Sequence, residues 1–286
     1  MSEDTIHRLD SYENKEDMVI MTYGRFQPLT KGHLKLFETV RKLADIGFKK
    51  YYIMTSESYD DTPITPIMFK NIEKKLVDLV SDSDKKKRRI TEIVEKKKNP
   101  LHHENKLKYI KDGVKIFGLD EKRVLNKRTL PEAIRYALDT SGAKKVLILV
   151  GSDRVEGFNN MLKSVDYSYE LIGLGRLDTE NKQSGREIMT EEVASMIKKI
   201  SASKVRASVI ANDYELFKTL MPDEFSEEQK TTLFNDLRHR YRHLIGEKYF
   251  TSGLIGGRKK GRKTNTVWIT YSYIIYSNPG KKHLKK

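Results

Sequence analysis

The segment from Met18 to Ala44 constrains this chain more than any other. Met18-Val19-Ile20-Met21 is an apolar run that reads as a buried strand, and Leu34 to Ala44 repeats its apolar residues at helical spacing. Between them lies Tyr23-Gly24-Arg25-Phe26-Gln27-Pro28-Leu29-Thr30-Lys31-Gly32-His33. A strand that runs through a glycine-bearing loop into a helix is the unit from which parallel sheets are wound. Its loop offers backbone N–H groups and a helix dipole to phosphate. Gly32 lets the backbone approach a phosphate closely, and His33, in the first turn, has a donor for a phosphoryl oxygen. Thr30 can set a hydroxyl beside the same group.

The rest of the chain repeats the alternation. Lys50 to Thr55, Arg123-Val124-Leu125, Lys145 to Val150 and Glu170 to Leu174 read as further strands. The continuous run Lys145-Val146-Leu147-Ile148-Leu149-Val150 is typical of a strand covered on both faces. Helical spacing runs over Ile67 to Val80, over Leu101 to Phe117 with Gly118 at its end, and from Thr129-Leu130-Pro131-Glu132 onward. A helix follows Gly151-Ser152-Asp153-Arg154 as far as Leu162, and Thr190 to about Gly246 is helical. The expected fold class is α/β: a Rossmann-like, doubly wound parallel sheet with helices on both faces, then a helical C-terminal part and a basic tail.

The boundaries follow from composition. Residues 1–17 form a polar arm, 18–220 the main domain, 221–247 a C-terminal helix and 248–286 a basic tail. Ser81 to Lys98 carries Lys85-Lys86-Lys87-Arg88-Arg89 and Lys96-Lys97-Lys98, and reads as an exposed basic helix or a mobile insertion. The formal net charge is +15, and residues 248–286 hold ten Lys or Arg and no acid, which leaves +5 for the first 247 residues. Such a tail suits nucleic acid or another polyanion, or else a solubilising surface. The chain has no cysteine, which excludes disulfides and thiolate metal sites. No apolar run is long enough for a signal peptide or a membrane helix, so a soluble cytoplasmic protein is expected, with no membrane partner. Oligomer formation stays open, because Thr266 to Tyr276 has the composition of an edge strand.

Two distant stretches complement the first. Ile200-Ser201-Ala202-Ser203-Lys204-Val205-Arg206 offers serines for a helix N-cap, with Lys204 and Arg206 adding positive charge beside the exposed N–H groups. Gly151-Ser152-Asp153-Arg154 lies at the mouth of the clearest strand. These residue types suit nucleotidyl transfer, in which the protein holds two anions together and stabilises charge on phosphorus without supplying a nucleophile. A Mg²⁺ ion bridging the triphosphate is expected on the same grounds.

Gly24-Arg25-Phe26-Gln27-Pro28 with Thr30-Lys31-Gly32-His33, and Ser201 to Arg206 downstream, resembles the cytidylyltransferase-like nucleotidyltransferase superfamily. Its hallmarks are an H/T-x-G-H motif after the first strand and an I-S-x-T/S-x-x-R motif near the domain's end. Gly-Arg-Phe-Gln-Pro is most like nicotinamide mononucleotide adenylyltransferases. The combination with Asn99-Pro100-Leu101 looks closest to members carried by large bacteriophages and other DNA viruses. The resemblance implies that His33 contacts the α-phosphate, that Thr30 stands where many relatives have a histidine, and that Ser203 and Arg206 bind the β- and γ-phosphates. It places Gly24, Arg25 and Phe26 along the cleft and Gly151 to Arg154 on the base or acceptor side. Gly32, Ser201 and Lys204 complete the implied nucleotide site. The implied substrates are a nucleoside triphosphate, ATP ahead of CTP, and a small phosphorylated acceptor, with nicotinamide mononucleotide leading. The rival class is an inactive protein of the same fold that binds nucleic acid or serves as a viral structural component.

Other motifs weigh less. His102-His103-Glu104 invites a metal reading, but adjacent residues diverge on a helix, so a solvated helix start is expected. His239 and His243 share a helical face, yet Arg238, Arg240 and Arg242 surround them and repel a cation. Gly256 to Lys263 lacks the Lys-Ser/Thr pair and preceding strand of a P-loop. Tyr271, Tyr273 and Tyr276 read as a strand's own aromatics ahead of a base-stacking surface.

Overall fold

A computed structural model describes residues 3–174 and 201–247, all within the unit Met1–Gly256. The basic tail, its β-prone segment and the stretch from Thr190 to Ile200 lie outside the described residues.

Five parallel strands form one sheet: β1 (Met18–Gly24), β2 (Tyr51–Thr55), β3 (Val124–Asn126), β4 (Lys145–Gly151) and β5 (Tyr169–Leu174), in the order β3-β2-β1-β4-β5. The order reverses between β1 and β4. In a doubly wound sheet, ligands enter the crevice outside the carboxyl ends of the strands at that reversal. β1 pairs β4 up to Thr22↔Leu149, and two residues further on each strand ends at a glycine, Gly24 and Gly151.

Nearly continuous apolar runs make β1 and β4 the buried centre, as parallel strands covered on both faces require. Val19, Met21, Val146 and Ile148 face one helical layer, α6 (Leu130–Ser141) and α7 (Val155–Leu162). Ile20, Leu147 and Leu149 face the other, which includes α2 (Lys31–Asp45) and α5 (His103–Lys115). The same core takes in α8 (Ala202–Ala211), α9 (Tyr214–Leu220) and α10 (Glu227–Ile245). Leu233, Leu237, Tyr241 and Leu244 of α10 are fully buried, so residues 227–245 share the core of the main domain.

Several expectations need correction. The polar arm expected over 1–17 is anchored where it is described: α1 (Glu3–Asp10) buries Leu9 completely, and Arg8 and Tyr12 both bond Glu170. The helix expected to reach Val80 is α3 (Pro66–Lys74); the chain then turns so that Ser81 can cap the next helix. The segment expected as an exposed basic helix or a mobile insertion contains the helix α4 (Asp82–Lys96), exposed on one face only. Its Ile90-Ile93-Val94 stripe is buried and packs against α8, while Arg89 forms a two-pronged ion pair with Glu73. His102 and His103 do not diverge. His102 is the extended N-cap of α5, and the two ring centroids stand 3.9 Å apart.

Candidate active site

The crevice starts at the end of β1. Arg25 is exposed, and the chain then turns inward through Phe26, whose φ of 45° is rare for a bulky residue. This turn buries Phe26 to 2% exposure, edge-on to His33 at 4.9 Å and tilted against Phe37 at 5.7 Å. Phe26 therefore buttresses the imidazole from below; it does not form an open cleft wall. Gly24 makes room for it, since a Cβ there would meet the Phe26 ring at 3.2 Å.

Thr30 is the extended N-cap of α2. Its N–H donates to His33 Nδ1 at 3.0 Å, so the N3 side chain satisfies an N-terminal donor that the helix cannot. A backbone N–H is an obligatory donor, so Nδ1 is assigned as the acceptor and Nε2 as the protonated nitrogen. The cap thus sets the tautomer and puts the ring proton on Nε2. Thr30 itself is buried, and its hydroxyl stands 3.0 Å from the same Nδ1, so it orients the imidazole from within. Gly32 is exposed on the first turn, with only Thr30 Oγ1, at 3.8 Å, near a Cβ built there. Lys31 leaves the motif sideways to Asp223, at 2.7 Å.

The downstream stretch meets this loop. Ser201 caps α8 by accepting from the Lys204 N–H, and Lys204 is exposed. Arg206 points inward. Its Nη1 donates to the Gln27 carbonyl at 2.6 Å and its Nη2 to Ser203 Oγ at 3.0 Å, while Nε is buried without a partner. Arg206 is 5% exposed and hydrogen-bonds no carboxylate among the described residues. Burial lowers its pKa, with Tyr241 opposing and Arg25 reinforcing the shift. Arg206 thus lies beneath the loop, and not on an open surface where it would grasp phosphate directly.

Gln27 is the site residue that sequence reasoning missed. It is 2% exposed. Its Nε2 donates to Leu101 O at 2.8 Å and Ser58 O at 3.3 Å, and its Oε1 accepts from Leu101 N at 3.0 Å. One glutamine therefore joins the β1 loop, the β2 loop and Asn99-Pro100-Leu101. Its place inside Gly24–Pro28 was the available signal. On the other side, Gly151 leads through a short turn, Ser152–Arg154, into α7, with Ser152, Asp153 and Arg154 exposed. The structure brings Arg206 onto the Gly24–His33 loop at Gln27 O, with Ser203 bonded to the same guanidinium, and sets Gly151–Arg154 at the end of the neighbouring strand. Tyr23 closes a further edge by donating to Lys127 O and Arg128 O, each at 3.2 Å.

Carboxylates are sparse here, and no group of three or more His, Cys, Asp or Glu among the described residues is placed to hold a metal. The donor set does not form a protein cage for Mg²⁺. No described helix is long and apolar enough to cross a membrane.

Fold and crevice together define the class: a doubly wound α/β domain with a crevice at the switch between β1 and β4. Residues 21–208 match the Cytidylyltransferase-like family, and the chain belongs to that family, which makes it a nucleotidyltransferase by class. The match runs from β1 through most of α8, so it covers both the Thr30–His33 motif and Arg206. No curated protein matches the chain.

Proposed function

We propose that the protein transfers a nucleoside monophosphate from a nucleoside triphosphate to a small phosphorylated acceptor. An acceptor phosphate oxygen bonds to the α-phosphorus, the bond from that phosphorus to the β-bridging oxygen breaks, and pyrophosphate leaves. One observation carries this reading: Arg206, from a motif near the end of the family match, bonds the Gln27 carbonyl inside the loop that ends in Thr30–His33.

His33 Nε2–H donates to an oxygen on the α-phosphate, held in place by the Thr30 N–H at its other nitrogen. The first N–H groups of α2, beside exposed Gly32, and of α8, beside Ser203 and Lys204, face the remaining phosphates. Arg25 and Lys204 supply exposed positive charge, and Arg206 supplies it from below. Ser201 holds the α8 terminus in register. Gly151 to Arg154 border the base or acceptor side. Magnesium arrives with the triphosphate, as part of the substrate. ATP ahead of CTP, and nicotinamide mononucleotide as acceptor, are inferred from the likeness of Gly24–Pro28 to adenylyl-transferring relatives. The basic segment 248–286 adds a polyanion contact, and removing it should flatten the salt dependence of nucleic-acid binding.

The test is a pyrophosphate-release screen. It pairs each of four triphosphates with nicotinamide mononucleotide, phosphopantetheine, glycerol phosphate and sugar phosphates. At least one pair should turn over, and His33→Ala should abolish that turnover with little loss of stability. Absence of turnover in every pair, with no binding of any triphosphate, would overturn the proposal.

A further inference from the structure

Lys106, on α5, is fully buried, and its Nζ donates to the carbonyl of Ser56, the first residue after β2. Among the described residues no carboxylate bonds it; Glu57, exposed on the same loop, acts only through space. An ammonium without a counter-ion in the interior is costly, and such groups cluster where a site needs charge. The Ser56 N–H donates back to Gly24 O at 3.0 Å, and Thr55 Oγ1 reaches Arg25 O at 3.4 Å. Lys106 therefore grips the loop locked onto the end of β1.

Arg206 repeats the device across the motif. Each is a buried cation, bonded to no carboxylate among the described residues, that donates to a backbone carbonyl of a crevice loop, Gln27 O or Ser56 O. A carbonyl oxygen turned toward a phosphate repels it. A cation bound to that oxygen cancels the repulsion and leaves a net positive field in a poorly screened place.

We propose that Lys106 is a positioning residue of the transfer site: it pins and neutralises the Ser56 carbonyl so that the β1–β2 side of the crevice accepts a phosphate. This rests on the proposed function.

The test uses the full chain as wild type, Lys106→Met and Lys106→Arg. Calorimetric binding of inorganic phosphate, inorganic pyrophosphate and magnesium–ATP is measured at pH 7.0 and 9.5, with thermal midpoints for each variant. At pH 7.0, Lys106→Met should lose about tenfold in phosphate and pyrophosphate affinity at an unchanged or higher midpoint, and Lys106→Arg should stay within about threefold of wild type. Arginine keeps its proton at pH 9.5 and lysine in this setting does not, so wild type should weaken more than Lys106→Arg over that interval. His33, Tyr23 and Glu57 are common to both proteins and cancel in the comparison. Wild-type affinity in Lys106→Met overturns the proposal. So does equal loss in Met and Arg, which marks a packing effect. If Lys106→Met fails to fold, the Arg comparison across pH decides alone. If wild type binds ATP but the Lys106 variants match it, only this assignment falls. If wild type binds neither ATP nor pyrophosphate, the transferase reading falls and takes this assignment with it.

Discussion

Replacing Gln27 tests what holds the crevice together. Gln27→Ala removes two donor contacts, to Leu101 O and Ser58 O, and the acceptor for Leu101 N. Leu101 is fully buried, so water does not replace these partners. An abandoned buried backbone group costs about 1–3 kcal/mol. Two such groups at Leu101 set a loss of about 2–6 kcal/mol, before any contribution from the cavity. A domain of this size has roughly 5–15 kcal/mol to lose. Gln27→Met fills most of the space without restoring a bond, so the gap between Met and Ala isolates the cavity term. The assay is urea unfolding followed by far-ultraviolet circular dichroism, with stability taken from the linear dependence on denaturant. Both variants should also bind triphosphate more weakly, since the loop whose carbonyl anchors Arg206 is released. A loss below about 1 kcal/mol in Gln27→Ala would refute the reasoning, because the buried backbone groups would then have found other partners.

Gly32→Ala meets no clash, so stability should hold or rise by up to about 1 kcal/mol, while triphosphate binding falls about tenfold if the backbone there approaches phosphate. Thermal melting and calorimetry on one sample separate the two effects, and unchanged binding counts against a phosphate at Gly32. Burial holds the Lys106 pKa at about 8, below its ordinary 10.5, against the pull of Glu57. The folded state thus releases its proton first, and stability should climb by about 3 kcal/mol from pH 8 toward 10.5. The half-buried Tyr23 and the buried Tyr109 and Tyr241 phenols, raised by desolvation, oppose this above pH 10. The Lys106→Met difference between pH 7 and 10 isolates the lysine, and a flat difference would show that burial does not lower its pKa. For Glu170, burial works to raise its pKa, but bonds from Lys145, Tyr12 and Arg8 outweigh it and lower it. Its contribution is present above the ordinary carboxylate range and is lost as pH falls through the lowered one. Glu170→Gln should therefore lower the melting midpoint at pH 7 and narrow its acid dependence, with triphosphate affinity intact.

The strands and the motif helices were legible because their signals are local. Lys145 to Val150 is apolar throughout, and Thr30 and Ser201 are cap residues at the heads of apolar runs. What failed to show depends on partners far along the chain. Lysines surround Lys106 in sequence, and nothing near it says which one is buried. In the basic run of α4 the apolar Ile90, Ile93 and Val94 were visible, but not the helix α8 that they pack against. Arg206 was visible as a motif residue, but its burial was not, because the roof over it is the Gly24–Thr30 loop, some 180 positions earlier in sequence. Gln27 stood in plain view, and only the meeting of three loops gives it a task.

The knot of Glu170 with Arg8, Tyr12 and Lys145 sits where β4 and β5 begin, and the crevice opens where they finish. Durability and chemistry thus occupy opposite poles of one sheet. A lineage, or an engineer, can loosen or tighten the pole at α1 to suit a colder or hotter setting and leave the transfer step as it was.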